Sequence, residues 1–139
     1  MKTRIPRALL LAGAVLGASA LASIGAQAQS SPGPAPTLAS LTADLKAPAP
    51  YSRSAAAFGL AQMGPAAAPA VPALIDALQD PNPGVRYRVA VALREIGSAA
   101  KPAVPALKKA MKDDINDEVA DAARRAVKTI DPAALDKDE

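Results

Sequence analysis

The sequence predicts an all-α fold, a short α-solenoid of stacked antiparallel helix pairs, and three observations carry that prediction. First, Val85 to Gly97 (VRYRVAVALREIG) sets Val85, Val89, Ala92, Leu93 and Ile96 at helical spacing, with Arg86, Tyr87, Arg94 and Glu95 facing away. Second, the same text returns 33 residues upstream as SRSAAAFGLAQMG and 34 residues downstream as VADAARRAVKTID. A helix repeated at such a period marks a stack of repeats. Third, another helix type, apolar at i, i+3 and i+7, lies between the copies. It reads Leu38, Leu41 and Leu45, then Val71, Leu74 and Leu78, then Val104, Leu107 and Met111.

In chain order, residues 1–28 read as a cleavable export signal of bacterial Sec type. Lys2, Arg4 and Arg7 form the basic start, Ala8 to Ile24 an uncharged apolar run, and Ala26-Gln27-Ala28 the cleavage site, with the cut after Ala28. The alternative is a retained anchor pairing through Gly13 and Gly17. Cleavage leaves no stable membrane span and implies a periplasmic or secreted protein. No cysteine is present, which excludes a lipid anchor on a signal-peptide Cys and any disulfide.

Three of the 16 basic residues lie in this signal, so Gln29 to Glu139 carries 13 basic and 13 acidic residues and is neutral. The overall charge of +3 therefore reports the signal and argues for no nucleic-acid partner. Histidine and tryptophan are absent and only two Tyr and one Phe occur, so an aromatic core is excluded. Alanine fills 28 of the 111 positions from Gln29 onward, which suits closely packed helices.

Residues 29–36 (QSSPGPAP) read as a linker with nothing to bury, 37–131 as the repeat domain and 132–139 as an acidic, frayed tail. Within the repeats, inner helices are expected near 37–46, 69–79 and 102–112, and outer helices near 52–63, 85–96 and 118–130. Pro69-Ala-Val-Pro72 and Pro102-Ala-Val-Pro105 open two of the inner helices, because first-turn amides have no intrahelical partner to lose. Gly97 stands where a helix end needs positive φ. The last junction holds one extra residue. The chain stops on an outer helix, so Val119, Val127 and Ile130 are expected to lack a full partner, which suggests weak self-association.

The run from Asp80 through Val85-Arg86 to Leu93-Arg94-Glu95-Ile96-Gly97, with Ala70-Val71-Pro72-Ala73-Leu74, resembles HEAT repeats. The similarity is to the short bacterial form, also found in phycobilisome-lyase-type proteins, and covers Thr37 to about Asp131. It implies a polar ladder between loop Asp and helix Arg, which here falls on Asp80 and Asp113 with Arg53 and Arg86. The end copies depart from it, with Ala47 for the Asp and Ala120 for the Arg.

Catalytic chemistry finds little to work with. There is no His or Cys, no G-x-S-x-G and no phosphate loop, so neither a catalytic residue nor a cofactor site is assigned. Asp113, Asp114, Asp117 and Glu118 are dense enough for a hard cation but lack the D-x-D-x-D-G order. They read instead as a ladder residue (Asp113), an N-cap (Asp117) and a helix-dipole partner (Glu118), leaving no metal site. Asp121 and Arg125 read as an i,i+4 pair.

The expected function is a non-enzymatic scaffold that offers its inner-helix, concave surface to a protein or peptide partner. Equivalent inner positions align as Ala43, Asp76, Lys109; as Lys46, Gln79, Lys112; and as Thr42, Ile75, Lys108. Asp76, Gln79, Lys108, Lys109 and Lys112 are the candidate contact residues, and their basic end suits an acidic partner. Phe58, Tyr87 and Val91 form either a surface patch or a helix seam. Two rival functions are a lyase-type accessory role, which the resemblance implies, and a purely structural envelope role.

Overall fold

The computed structural model describes residues 33–138; the segment expected to be an export signal and part of the expected linker lie outside them. Six helices follow one another: α1 Leu38–Asp44, α2 Pro50–Met63, α3 Val71–Ala77, α4 Pro83–Ile96, α5 Val104–Asp113 and α6 Asp117–Ile130. No strand occurs among the described residues. α1 packs on α2, α3 on α4 and α5 on α6, the expected helix pairs of a short solenoid.

Proline chemistry moves several boundaries. Pro50 and Pro83 open α2 and α4 at the first helical position, two residues earlier than the periodicity suggests. Pro69 and Pro102 do not open α-helices; they lie inside the 3-10 segments Gly64–Ala70 and Gly97–Ala103. Pro72 and Pro105 have no N–H to return to the preceding turn, so α3 and α5 begin only beside them, at Val71 and Val104. Gly64 and Gly97 end α2 and α4 at φ 55° and 77°, a conformation L side chains rarely adopt. The stretch Pro50–Ala77 is long and apolar enough to cross a membrane by composition alone, but Gly64 divides it into two helices.

Thr37 caps α1, and asparagine caps α4 and α6. Asn82 Oδ1 accepts from the amides of Gly84 and Val85, and Asn116 Oδ1 accepts from Val119. Asp117, expected as the N-cap of α6, is instead its first residue, where with Glu118 it meets the positive helix end.

The core is aliphatic. Leu74, Leu78, Val89, Leu93 and Ile96 are at most 2% exposed, as the stripes predict. Buried alanines fill the space between the leucines, and no aromatic ring enters. The layers differ in closeness. α2 lies along α4 and α4 along α6, with Ala57, Ala90, Ala92 and Ala126 fully buried in that layer, whereas α3 meets the next unit through the Gly97–Ala103 segment. Small side chains let the α2–α4–α6 axes approach.

The C-terminal segment is not frayed. Pro132–Ala134 and Asp136–Asp138 form short 3-10 turns, Ala134 and Leu135 pack on the core, and Lys108 Nζ donates to the Ala134 carbonyl at 2.7 Å. Val119, Val127 and Ile130 are accordingly buried, at most 4% exposed, rather than left without a partner.

Candidate functional site

The units are joined by two arginines whose donors are almost fully used. Arg53 of α2 donates from Nε and Nη2 to the two carboxylate oxygens of Asp80 at 2.6 and 3.0 Å. Its Nη1 donates to the carbonyls of Ala47 and Pro48, both at 2.9 Å. One unit later Arg86 repeats the pattern, from Nε and Nη2 to Asp114 at 2.7 and 2.8 Å and from Nη1 to the carbonyls of Asp80 and Pro81. Each guanidinium thus clamps the loop before its own helix to the loop of the next unit, in the planar two-point geometry only arginine offers.

The second rung falls on Asp114, not on the expected Asp113, which is exposed. The extra residue at that junction lengthens α5 and moves the loop carboxylate by one place. The sequence did carry the signal: Asp80-Pro81-Asn82 recurs as Asp114-Ile115-Asn116, and each Asp also accepts from the amide of its Asn at 2.9 or 3.0 Å. Burial works to raise the Asp80 pKa, yet Arg53, the Asn82 amide and Arg86 together hold it below the usual carboxylate value. For Asp114 the Arg86 hydrogen bond dominates in the same direction. Both arginines are raised, chiefly by these hydrogen bonds.

Beside the rungs lie two open clefts related by the repeat. One is bordered by Lys46, Arg53, Asp76 and Gln79, the other by Gln79, Arg86, Lys109 and Asp113. Four expected contact residues, Asp76, Gln79, Lys109 and Lys112, are exposed; the first three border the clefts and Lys112 stands outside them. Lys108 is half-buried and holds the C-terminal segment.

Residues 38–128 match the family model for HEAT repeats. The chain belongs to the HEAT-repeat family. No curated protein and no solved structure matches it. In this HEAT-repeat chain α2, α4 and α6 lie against one another as one close layer, and the clefts open on the side of α1, α3 and α5.

The opposite face of the HEAT-repeat stack carries all three aromatic residues. Tyr51 is 85% and Phe58 48% exposed, while Tyr87 is half-buried against the core, as part of the seam between α4 and its neighbours. Tyr51 escaped the sequence reading because it lies ahead of the expected helix start. Arg88 sits over the Phe58 ring, with Cζ 5.2 Å from its centroid. On α6 the ion pair is Arg124 with Asp121 at 3.2 Å, not Arg125 with Asp121; both partners are more than half exposed, so it adds little. Among the described residues no three carboxylates gather where an ion would bind.

Proposed function

We propose that the chain is an exported, non-catalytic scaffold that binds a protein or peptide partner through the cleft-bearing face of α1, α3 and α5. The observation that carries this reading is the pair of equivalent clefts at fixed spacing, held by the Arg53–Asp80 and Arg86–Asp114 rungs. Such a surface is rigid before binding, so little ordering entropy is lost on contact. Family membership supports it, since HEAT repeats commonly serve as interaction surfaces, and the amino-terminal pattern supports export.

Charge on this face is graded. Lys101, Lys109 and Lys112 lie on or just before α5 and are all exposed, whereas α1 and the turn after it carry only Asp44 and Lys46. A basic end steers an acidic partner into place more than it tightens the final contact. The test is crosslinking capture from intact cells, followed by binding kinetics of Lys109→Glu combined with Lys112→Glu. The double reversal is expected to slow association and flatten its salt dependence while leaving helicity and melting unchanged. Capture at the parental rate and salt response would sink the assignment of this face.

A further inference from the structure

A chain with three aromatic residues that keeps none of them in its core has its rings available elsewhere. On α2, Tyr51, Ala55, Phe58 and Gln62 lie within a narrow arc directly opposite the buried Leu60, and all four are exposed. Tyr51, Ala55 and Phe58 line a shallow groove with Ser54 and with Arg88 of α4. Arg53, the one charged residue of α2, is turned away into the ladder, so Arg88 supplies the groove's charge. Glu118 borders the neighbouring cleft with Arg88, but no carboxylate among the described residues forms an ion pair with Arg88.

A guanidinium whose cation meets a ring, and which has no carboxylate partner of its own among the described residues, keeps N–H donors for a carboxylate brought by a ligand. We propose that Tyr51, Phe58 and Arg88 form a docking site for an extended apolar segment of a partner protein that carries a carboxylate beside its apolar side chain. The apolar side chain lies over Ala55 between the two rings, where the small residue leaves room. The carboxylate takes the edge of Arg88. Tyrosine and arginine are among the residues enriched in the energetic centres of protein interfaces, and a bound segment would cover these exposed rings. The inference rests on the chain being a binding module, but not on which face binds first.

The test follows Phe58, the only phenylalanine in the sequence, by its ring NMR signals in the full chain. The probes are acetyl-Pro-Leu-Asp-Leu-Pro-amide and the same peptide with Asn for Asp. The Asp peptide is expected to move the Phe58 and Tyr51 signals saturably and to bind roughly five- to tenfold tighter than the Asn peptide at low salt. Arg88→Gln should erase that difference, and Phe58→Ala should weaken both peptides. Lys109→Glu with Lys112→Glu should change neither. The proposal is overturned by an absence of saturable shifts at millimolar peptide, or by an Asp preference that survives Arg88→Gln. It is equally overturned if the signals move with protein concentration alone, which would seat a second copy on this groove. Failure here with the lysine-dependent capture intact leaves the scaffold reading standing.

Discussion

Asp113 and Asp114 are neighbours of the same type, yet only Asp114 accepts both donors of Arg86 and the amide of Asn116. Asp114→Ala should therefore cost about 1–3 kcal/mol, because it leaves a largely covered guanidinium without its acceptor. Asp113→Ala should stay within about 0.5 kcal/mol, as exposed substitutions do. Urea unfolding of the two variants decides it, and equal losses would return the rung to Asp113. The pH dependence follows from the same carboxylates. Asp80 and Asp114 have folded pKa values below the ordinary carboxylate value, so the unfolded chain binds more protons as pH falls through that range. Their contribution is complete above about pH 5 and is lost as pH drops through the lowered folded values. Asp80→Asn combined with Asp114→Asn should flatten the acid limb of a melting-temperature profile while leaving its neutral plateau level but lower.

At the scale of the helix, α6 and α4 make separate tests. Asn116→Ala removes the side-chain acceptor for the Val119 amide and should destabilise by about 0.5–2 kcal/mol, whereas Asp117→Ala loses only a favourable dipole contact worth about 0.3–1 kcal/mol. The ranking of their thermal midpoints reads which residue caps the helix. Leu93 is fully buried where α4 meets its neighbours, so Leu93→Ala should cost about 2–5 kcal/mol. A cooperative transition near the parental midpoint would show that the space collapses without loss. The helix pattern itself was legible because apolar residues at a 3.6-residue period report burial directly, as Val85, Val89 and Ile96 do. Helix starts were less legible, since Pro69 and Pro72 permit several geometries and only the carbonyls around them select the 3-10 segment.

For the whole molecule, the end of the stack is the informative place. Pro132 to Leu135 folds back over α6, and Lys108 ties it down through the Ala134 carbonyl. Deleting residues 132–139 should lower the melting temperature and uncover Ile130, and the truncated chain should self-associate more strongly than the full one. Sedimentation velocity of both at matched concentrations checks this, and identical mass distributions would show that the segment covers nothing of consequence.

The sequence by itself determined the fold class, the number of helices and the core, because the buried stripe is stated once in each of three repeats. The resemblance to HEAT repeats pointed to Arg53, Arg86 and Asp80, which pair as Arg53–Asp80 and Arg86–Asp114. Other questions waited for the tertiary structure. The pairing of Arg86 with Asp114 was one, since one inserted residue shifts the loop carboxylate by a position that a 33-residue offset misses, although the recurring Asp-x-Asn records it. That α2, α4 and α6 form one close layer depends on how closely alanine-lined helices approach in space. Lys108 was read as a surface cation because its side chain lies off the apolar stripe; only the fold brings the Ala134 carbonyl within reach, 26 residues further along the chain. Periodicity is a local property of the chain, whereas a carbonyl, a carboxylate and a ring meeting from separate units are set by packing alone.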